Sequence, residues 1–171
     1  MFLLSLCFSV QYPQAVGTSA AASILMEADI GRILYAQNSD QELGIASTTK
    51  IMTALVVCEQ CNVLDRVRIM PEAVGIEGSS MYLQADEILT VQELLYGLML
   101  CSGNDAALAL ADCCGGLDAF VQAMNEKAAA LGMKDTSFAN PNGLDDEYHY
   151  STARDMAVLA AYAAEDPTFR R

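Results

Sequence analysis

Leu117, Phe120, Val121, Met124, Ala128 and Leu131 trace one apolar stripe at helical spacing, and Gly132 stops it. A helix of that kind buries one face only, so the rest of the chain has to supply its cover. Three further segments ahead of or behind it carry the same signature. Thr90 with Glu93 three positions on is a capping-box pattern and opens a helix to Cys101. Asn104–Cys114 reads as another, closed by Gly115-Gly116. Ser151 or Thr152 caps a last one, running to about Ala164. Upstream, Ser47 opens a helix through about Glu59, with Ile51, Met52, Leu55 and Val56 on one face. Strand signals are few. Ala22–Glu27 and Arg32–Ala36 flank the turn Ala28-Asp29-Ile30-Gly31 and read as a β-hairpin, while Val67–Met70 and Ser80–Gln84 read as short extended pieces. The order is a hairpin followed by a mostly helical block, an α/β chain of the α+β type. At 171 residues one domain is expected.

A formal net charge of −13 excludes a phosphate backbone as a natural partner, so no nucleic-acid role is expected. The N-terminus carries the apolar run Met1–Val10, then Gln11-Tyr12-Pro13-Gln14-Ala15 and small residues from Gly17 to Ser23. Residues 1–19 therefore read as a leader, without the usual Lys or Arg before the apolar run, and residues 20–171 as an exported domain. Ten apolar residues are too few to span a bilayer. Of the six cysteines, Cys58 and Cys61 have C-x-x-C spacing but no second pair at zinc-site spacing. They read as small core-filling residues, and the adjacent Cys113-Cys114 pair carries no disulfide expectation.

Ser47-Thr48-Thr49-Lys50 carries the chemistry. A serine hydroxyl needs a base within reach to become a nucleophile. Residues three apart share a helix face, so Lys50 stands beside Ser47 with no help from the rest of the fold. Lysine acts as a base only when neutral, and burial together with the positive end of a helix dipole favours that form. The same helix start aims backbone N–H groups at Ser47, where an oxyanion would develop. The plain alternative makes Ser47 an ordinary helix cap and Lys50 a solvated first-turn residue. A second element weighs against it: Ser102-Gly103-Asn104 interrupts an apolar stretch between two helices. Pairing S-x-x-K with S-x-N is the motif set of β-lactamases and penicillin-binding proteins.

Ala46–Leu55 and Ser102–Ala107 resemble the low-molecular-mass penicillin-binding proteins that are D-alanyl-D-alanine carboxypeptidases, peptidase family S11. The resemblance continues through Gly78–Leu83, Glu93–Gly97, Met124-Asn125, Leu131–Met133, Asn140–Leu144 and Ser151–Met156. It implies a β-lactamase/transpeptidase-like fold, represented by the N-terminal hairpin and helical block without the later strands of its sheet. It implies that Ser47 attacks the carbonyl of the penultimate D-alanine of a peptidoglycan stem peptide and that Lys50 takes its proton. Ser102 would pass a proton to the leaving D-alanine, and Asn104 would hold the substrate amide. β-Lactams would acylate Ser47 as covalent inhibitors, and no cofactor or metal is implied. The expected location is the extracytoplasmic face of the bacterial membrane or the cell wall.

The family's third motif, K-T-G, follows none of Lys50, Lys127 and Lys134. Two rivals stay open: a class A β-lactamase-like hydrolase, which shares the serine, the lysine and the S-x-N element, and an inactive peptidoglycan-binding fragment, which the missing motif favours. The first uses S-D-N where this chain has Ser102-Gly103-Asn104, and a deacylating glutamate that the segment after Phe138 does not offer in a matching arrangement. His149 with Asp145, Asp146 or Asp155 would spell a Ser–His–Asp set, but the resemblance needs no histidine. Arg154-Asp155 reads as a structural charge pair or helix-end contact, and Asp145-Asp146-Glu147 as a solvated turn lacking calcium-loop spacing. Without K-T-G the 171-residue chain is expected to react slowly with fluorescent penicillin; rapid stoichiometric labelling at Ser47 would contradict this.

Overall fold

A computed structural model describes residues 17–170, so the run Met1–Val10 and most of the leader expected over residues 1–19 lie outside the described residues. β1 (Ser23–Met26) and β2 (Ile33–Gln37) form the expected antiparallel hairpin, with a bulge between Leu25 and Met26. Its turn is closed by Glu27 N–H donating to the Arg32 carbonyl and Gly31 N–H donating to that of Glu27. Gly31 takes φ +67°, a left-handed angle that glycine adopts without a Cβ clash.

The helical block is built around α1 (Lys50–Gln60). Lys50 and every residue from Met52 to Val57 are buried, so this helix presents no broad polar face and has to lie at the centre. α2 (Val91–Leu100) supplies Leu94 and Leu98 to it, α3 (Asn104–Cys113) supplies Ala106 and Leu110, and α4 (Leu117–Leu131) supplies Phe120 and Met124. α5 (Ala153–Ala163) closes the core with Leu159 and Ala163. The terminators are those the sequence carries. The Thr90–Glu93 capping box is formed in both directions, Gly132 ends α4 at φ +77°, and the Thr152 hydroxyl accepts from the Asp155 N–H to cap α5.

Two expectations are corrected. Ser80–Gln84 forms no strand; the partner of β3 (Arg66–Arg68) is β4 (Ile88–Thr90), just ahead of the capping box. Residues 80–83 instead wrap the Asp105 carboxylate. It accepts from the Ser80 hydroxyl at 2.6 Å and from the N–H groups of Met81 and Leu83, each at 3.1 Å. Asp155 does make the helix-end contact, its N–H donating to the Thr152 cap, but Arg154 does not pair with it. Arg154 grips Asp40 in a two-point ion pair through Nε and Nη2, while Asp155 accepts from Thr136 Oγ1 and Asp135 N–H. Arg154 holds the Asp40 carboxyl down to about 2. In a core centred on α1, Leu55→Ala is expected to cost about 2–5 kcal/mol, read as a drop in denaturant midpoint at unchanged slope.

Candidate active site

Ser47 lies in a 3₁₀ turn, Ala46–Thr49, that leads directly into α1, rather than at the cap of the α-helix itself. Ala46 takes φ +44°, an uncommon angle for a residue with a side chain, and lifts the turn so that Ser47 is exposed. Ser47 makes no capping hydrogen bond, and Lys50 is only 2% exposed. Both halves of the plain alternative, a capping serine and a solvated lysine, therefore fail.

Lys50 Nζ reaches three oxygens: Ser47 Oγ at 3.2 Å, Asn104 Oδ1 at 2.7 Å and the Asn142 carbonyl at 2.6 Å. No carboxylate pairs with it among the described residues. Burial without a counter-charge pushes the amine below its ordinary value of 10.5. The partner set then fixes what the neutral form does. Two carbonyl oxygens only accept, so they take the two N–H groups of the neutral amine. The lone pair is left for Ser47, whose hydroxyl donates to it. A proton can pass from Oγ to Nζ along that contact, and the new ammonium already has its acceptors in place.

Asn104 is fixed as firmly. Its Oδ1 takes the Lys50 N–H, its Nδ2 donates to the Glu77 carbonyl at 2.6 Å, and its backbone N–H donates to the Ser79 carbonyl at 2.7 Å. Asp105 next door accepts four hydrogen bonds, one from Ser80 and three from backbone N–H groups. Burial alone would raise its carboxyl, and these donors outweigh burial and hold it below 3.8. Of the four residues singled out from the sequence, Ser47, Lys50 and Asn104 are in contact. Ser102 is half-buried in the turn between α2 and α3 at φ +54°, and no hydrogen bond joins it to the other three among the described residues.

Asn142 and Gly143 were not singled out. Thr53 and Lys50, one helical turn apart on α1, donate to the successive carbonyls of Pro141 and Asn142, which lays the 140–144 loop along the helix. A Cβ on Gly143 would fall 2.0 Å from the Ala46 carbonyl oxygen and 3.0 Å from Ser47 N, so only glycine lets the loop support that turn. The sequence signals were the turn-rich Asn-Pro-Asn-Gly, which names a turn and not its neighbour, and the resemblance over Asn140–Leu144, which gave these residues no role.

His149 is excluded as the base by its own partners. Ala139 N–H donates to Nδ1 at 3.0 Å, so the proton sits on Nε2 and is donated to Thr49 Oγ1 at 2.7 Å. The ring is a buried prop beneath the Ser47 turn. Burial lowers its pKa below 6.5, against the opposing pull of Asp146 and Asp145.

Residues 9–170 match the family of D-alanyl-D-alanine carboxypeptidases, peptidase S11. The chain is 44% identical over 147 residues to the D-alanyl-D-alanine carboxypeptidase DacF of Bacillus subtilis, covering 82% of this chain and 38% of that one. It is 39% identical over 168 residues to DacA of Haemophilus influenzae, covering 93% and 42%. It superposes on the crystal structure of DacD from Francisella tularensis with a TM-score of 0.89 at 34% identity, over 95% of this chain and 41% of that one. The corresponding figures for penicillin binding protein 6B from Escherichia coli are 0.87, 36%, 92% and 54%. The chain thus spans about two-fifths of the length of the curated relatives it matches.

A histidine held neutral in the fold stabilises it fully above its unfolded pKa, and that contribution fades as pH falls through the lower, folded value. Unfolding free energy is therefore expected to decline from about pH 6.5 downward with proton uptake on unfolding. His149→Asn, which cannot titrate, should flatten that decline in urea titrations run across pH 5 to 8, and an unchanged slope would assign it to other groups.

Proposed function

The chain belongs to the D-alanyl-D-alanine carboxypeptidase family, peptidase S11, and from that premise we propose that it carries the acylating centre of a serine carboxypeptidase. Ser47 Oγ attacks the carbonyl of the penultimate D-alanine in a peptidoglycan stem peptide. The Lys50 lone pair takes the hydroxyl proton, the terminal D-alanine leaves, and water then releases the acyl group from Ser47. The observation that carries this reading is the Lys50 amine, buried without a counter-charge and bonded at once to Ser47, Asn104 and the Asn142 carbonyl. In that setting the amine is poised toward its neutral form, which is the form a base needs.

Asn104 keeps one lone pair on Oδ1 and one hydrogen on Nδ2 beyond its internal contacts, which suits it to hold the substrate amide. Ser102 is assigned the proton relay to the leaving D-alanine; its support is its place two residues ahead of Asn104 in a strained turn. β-Lactams, whose cyclic amide offers the same kind of carbonyl, would acylate Ser47. The protein works outside the cytoplasm, where peptidoglycan is, with residues 1–19 as its leader; the apolar run Met1–Val10 supports this. A net charge of −13 argues against nucleic acid as a partner.

Incubation with fluorescent penicillin followed by peptide mapping is expected to place the adduct on Ser47. The acylation rate should climb with pH as Lys50 loses its proton, in a range below 10.5. Lys50→Ala should slow it by roughly 10²–10⁴-fold. Labelling that survives Ser47→Ala would overturn the assignment.

A further inference from the structure

The two helices that bring Lys50 and Asn104 together carry a second meeting point at their other ends. α1 and α3 run side by side in the same direction. Their first residues are joined by the Lys50–Asn104 hydrogen bond, and just past their last turns Cys61 meets the pair Cys113-Cys114. Cys61 Sγ lies 2.7 Å from Cys114 Sγ and 3.8 Å from Cys113 Sγ. All three sulfurs fall within 4.8 Å of one another. Nothing fits between Cys61 and Cys114 at that separation. A disulfide needs about 2.05 Å, so a small shift of two side chains at helix ends closes it. Neither Cys58 nor Cys101 belongs to this group.

We propose that Cys61 and Cys114 form a disulfide that staples the C-terminal ends of α1 and α3, with Cys113 as the thiol through which it is made. Cys113 is the exposed member of the three and is the one an external disulfide reaches. Its thiolate displaces one thiol from a small-molecule or protein disulfide, giving a mixed disulfide. Cys61 then attacks the Cys113 sulfur and releases the second thiol. Cys114 attacks the Cys61 sulfur and returns Cys113 to the thiol form. Two protein thiols are oxidised, one external disulfide is reduced to two thiols, and the two protons go with them.

The surroundings favour a durable bond over a shuttle. Partial burial and the neighbouring Cys61 raise the Cys113 thiol to about 11, so the first exchange runs through a small thiolate fraction, and burial with Cys61 raises Cys114 further. Cys114, so weakly acidic, leaves slowly, and the Cys61–Cys114 bond resists attack at the Cys61 sulfur once made. The same shift disfavours the several thiolates that a bound metal would require, and no fourth protein ligand joins the three sulfurs among the described residues. Such a bond persists in the oxidising compartment assigned above, although its formation is independent of any chemistry at Ser47.

The test compares the chain in dithiothreitol with the chain in oxidised glutathione, using alkylation and mass measurement to count thiols. Oxidation is expected to remove two thiols and to join the peptides bearing Cys61 and Cys114. Cys61→Ser should abolish that loss, and Cys113→Ser should slow it without changing the pair. Because the crosslink closes a span of 53 residues, the oxidised chain should melt on the order of 10 °C above the reduced one. Equal melting temperatures, a crosslink that survives Cys61→Ser, or glutathione left on Cys113 without a crosslink would each overturn the proposal. So would a stoichiometric zinc ion, added alone to the reduced chain, that keeps the three thiols from oxidation.

Discussion

Everything at the site depends on one amine that has lost its water. Lys50 is buried with three oxygen partners and no acid among the described residues, and an ammonium in that position is disfavoured unless its acceptors are held in place. Those acceptors come from three separate stretches of chain: the 3₁₀ turn, the start of α3 and the 140–144 loop. Moving any one of them strands an N–H group in the core. The positions of α1, α3 and the loop are thus set by the same hydrogen bonds that prepare Ser47.

The supports around this centre make close backbone approaches. Gly143 lies against the Ala46 carbonyl where no side chain fits, and Gly78, at φ +91°, leaves room for the Asn104 amide in the same way. Asp105 gathers residues 80–83 with four hydrogen bonds, and His149 stands under Thr49. Each is a polar group buried with its partners complete, which gives a single arrangement instead of a family of similar ones. Two of the five non-glycine residues at positive φ among the described residues, Ala46 and Ser102, lie at the site, the others being Asn38, Tyr82 and Asp86.

What the sequence made legible was local. The α4 stripe, the Thr90 capping box and the Gly31 turn are each settled by residues within a few positions of one another, and the elements form where those signals lie. Ser47 and Lys50 were legible for the same reason, since three-residue spacing alone sets their distance. What stayed hidden needed partners far along the chain. The Ser80–Gln84 segment has strand-like composition but is claimed by a carboxylate more than twenty residues away, and β4 is too short for alternation to register. The Ser47 segment is a 3₁₀ turn with Gly143 packed against its Ala46 carbonyl, and no periodicity carries that. Arg154 passed over its neighbour Asp155 for Asp40, which only the folded chain brings near. The convergence of Cys61 with Cys114 likewise follows from packing two helices in parallel.

That parallel packing has an electrical consequence. Neighbouring helices usually gain by running in opposite directions, so that their dipoles oppose; α1 and α3 instead bring both positive ends together at Lys50 and Asn104, beside Ser47. The body around them carries a net charge of −13. The two helix starts gather positive partial charge beside Ser47 in a strongly acidic molecule. An anion approaching from afar is pushed away by the whole molecule and drawn in only over the last few ångströms. Since salt screens long-range repulsion more than contact-range attraction, added electrolyte eases such a ligand's approach where for most anion sites it weakens capture.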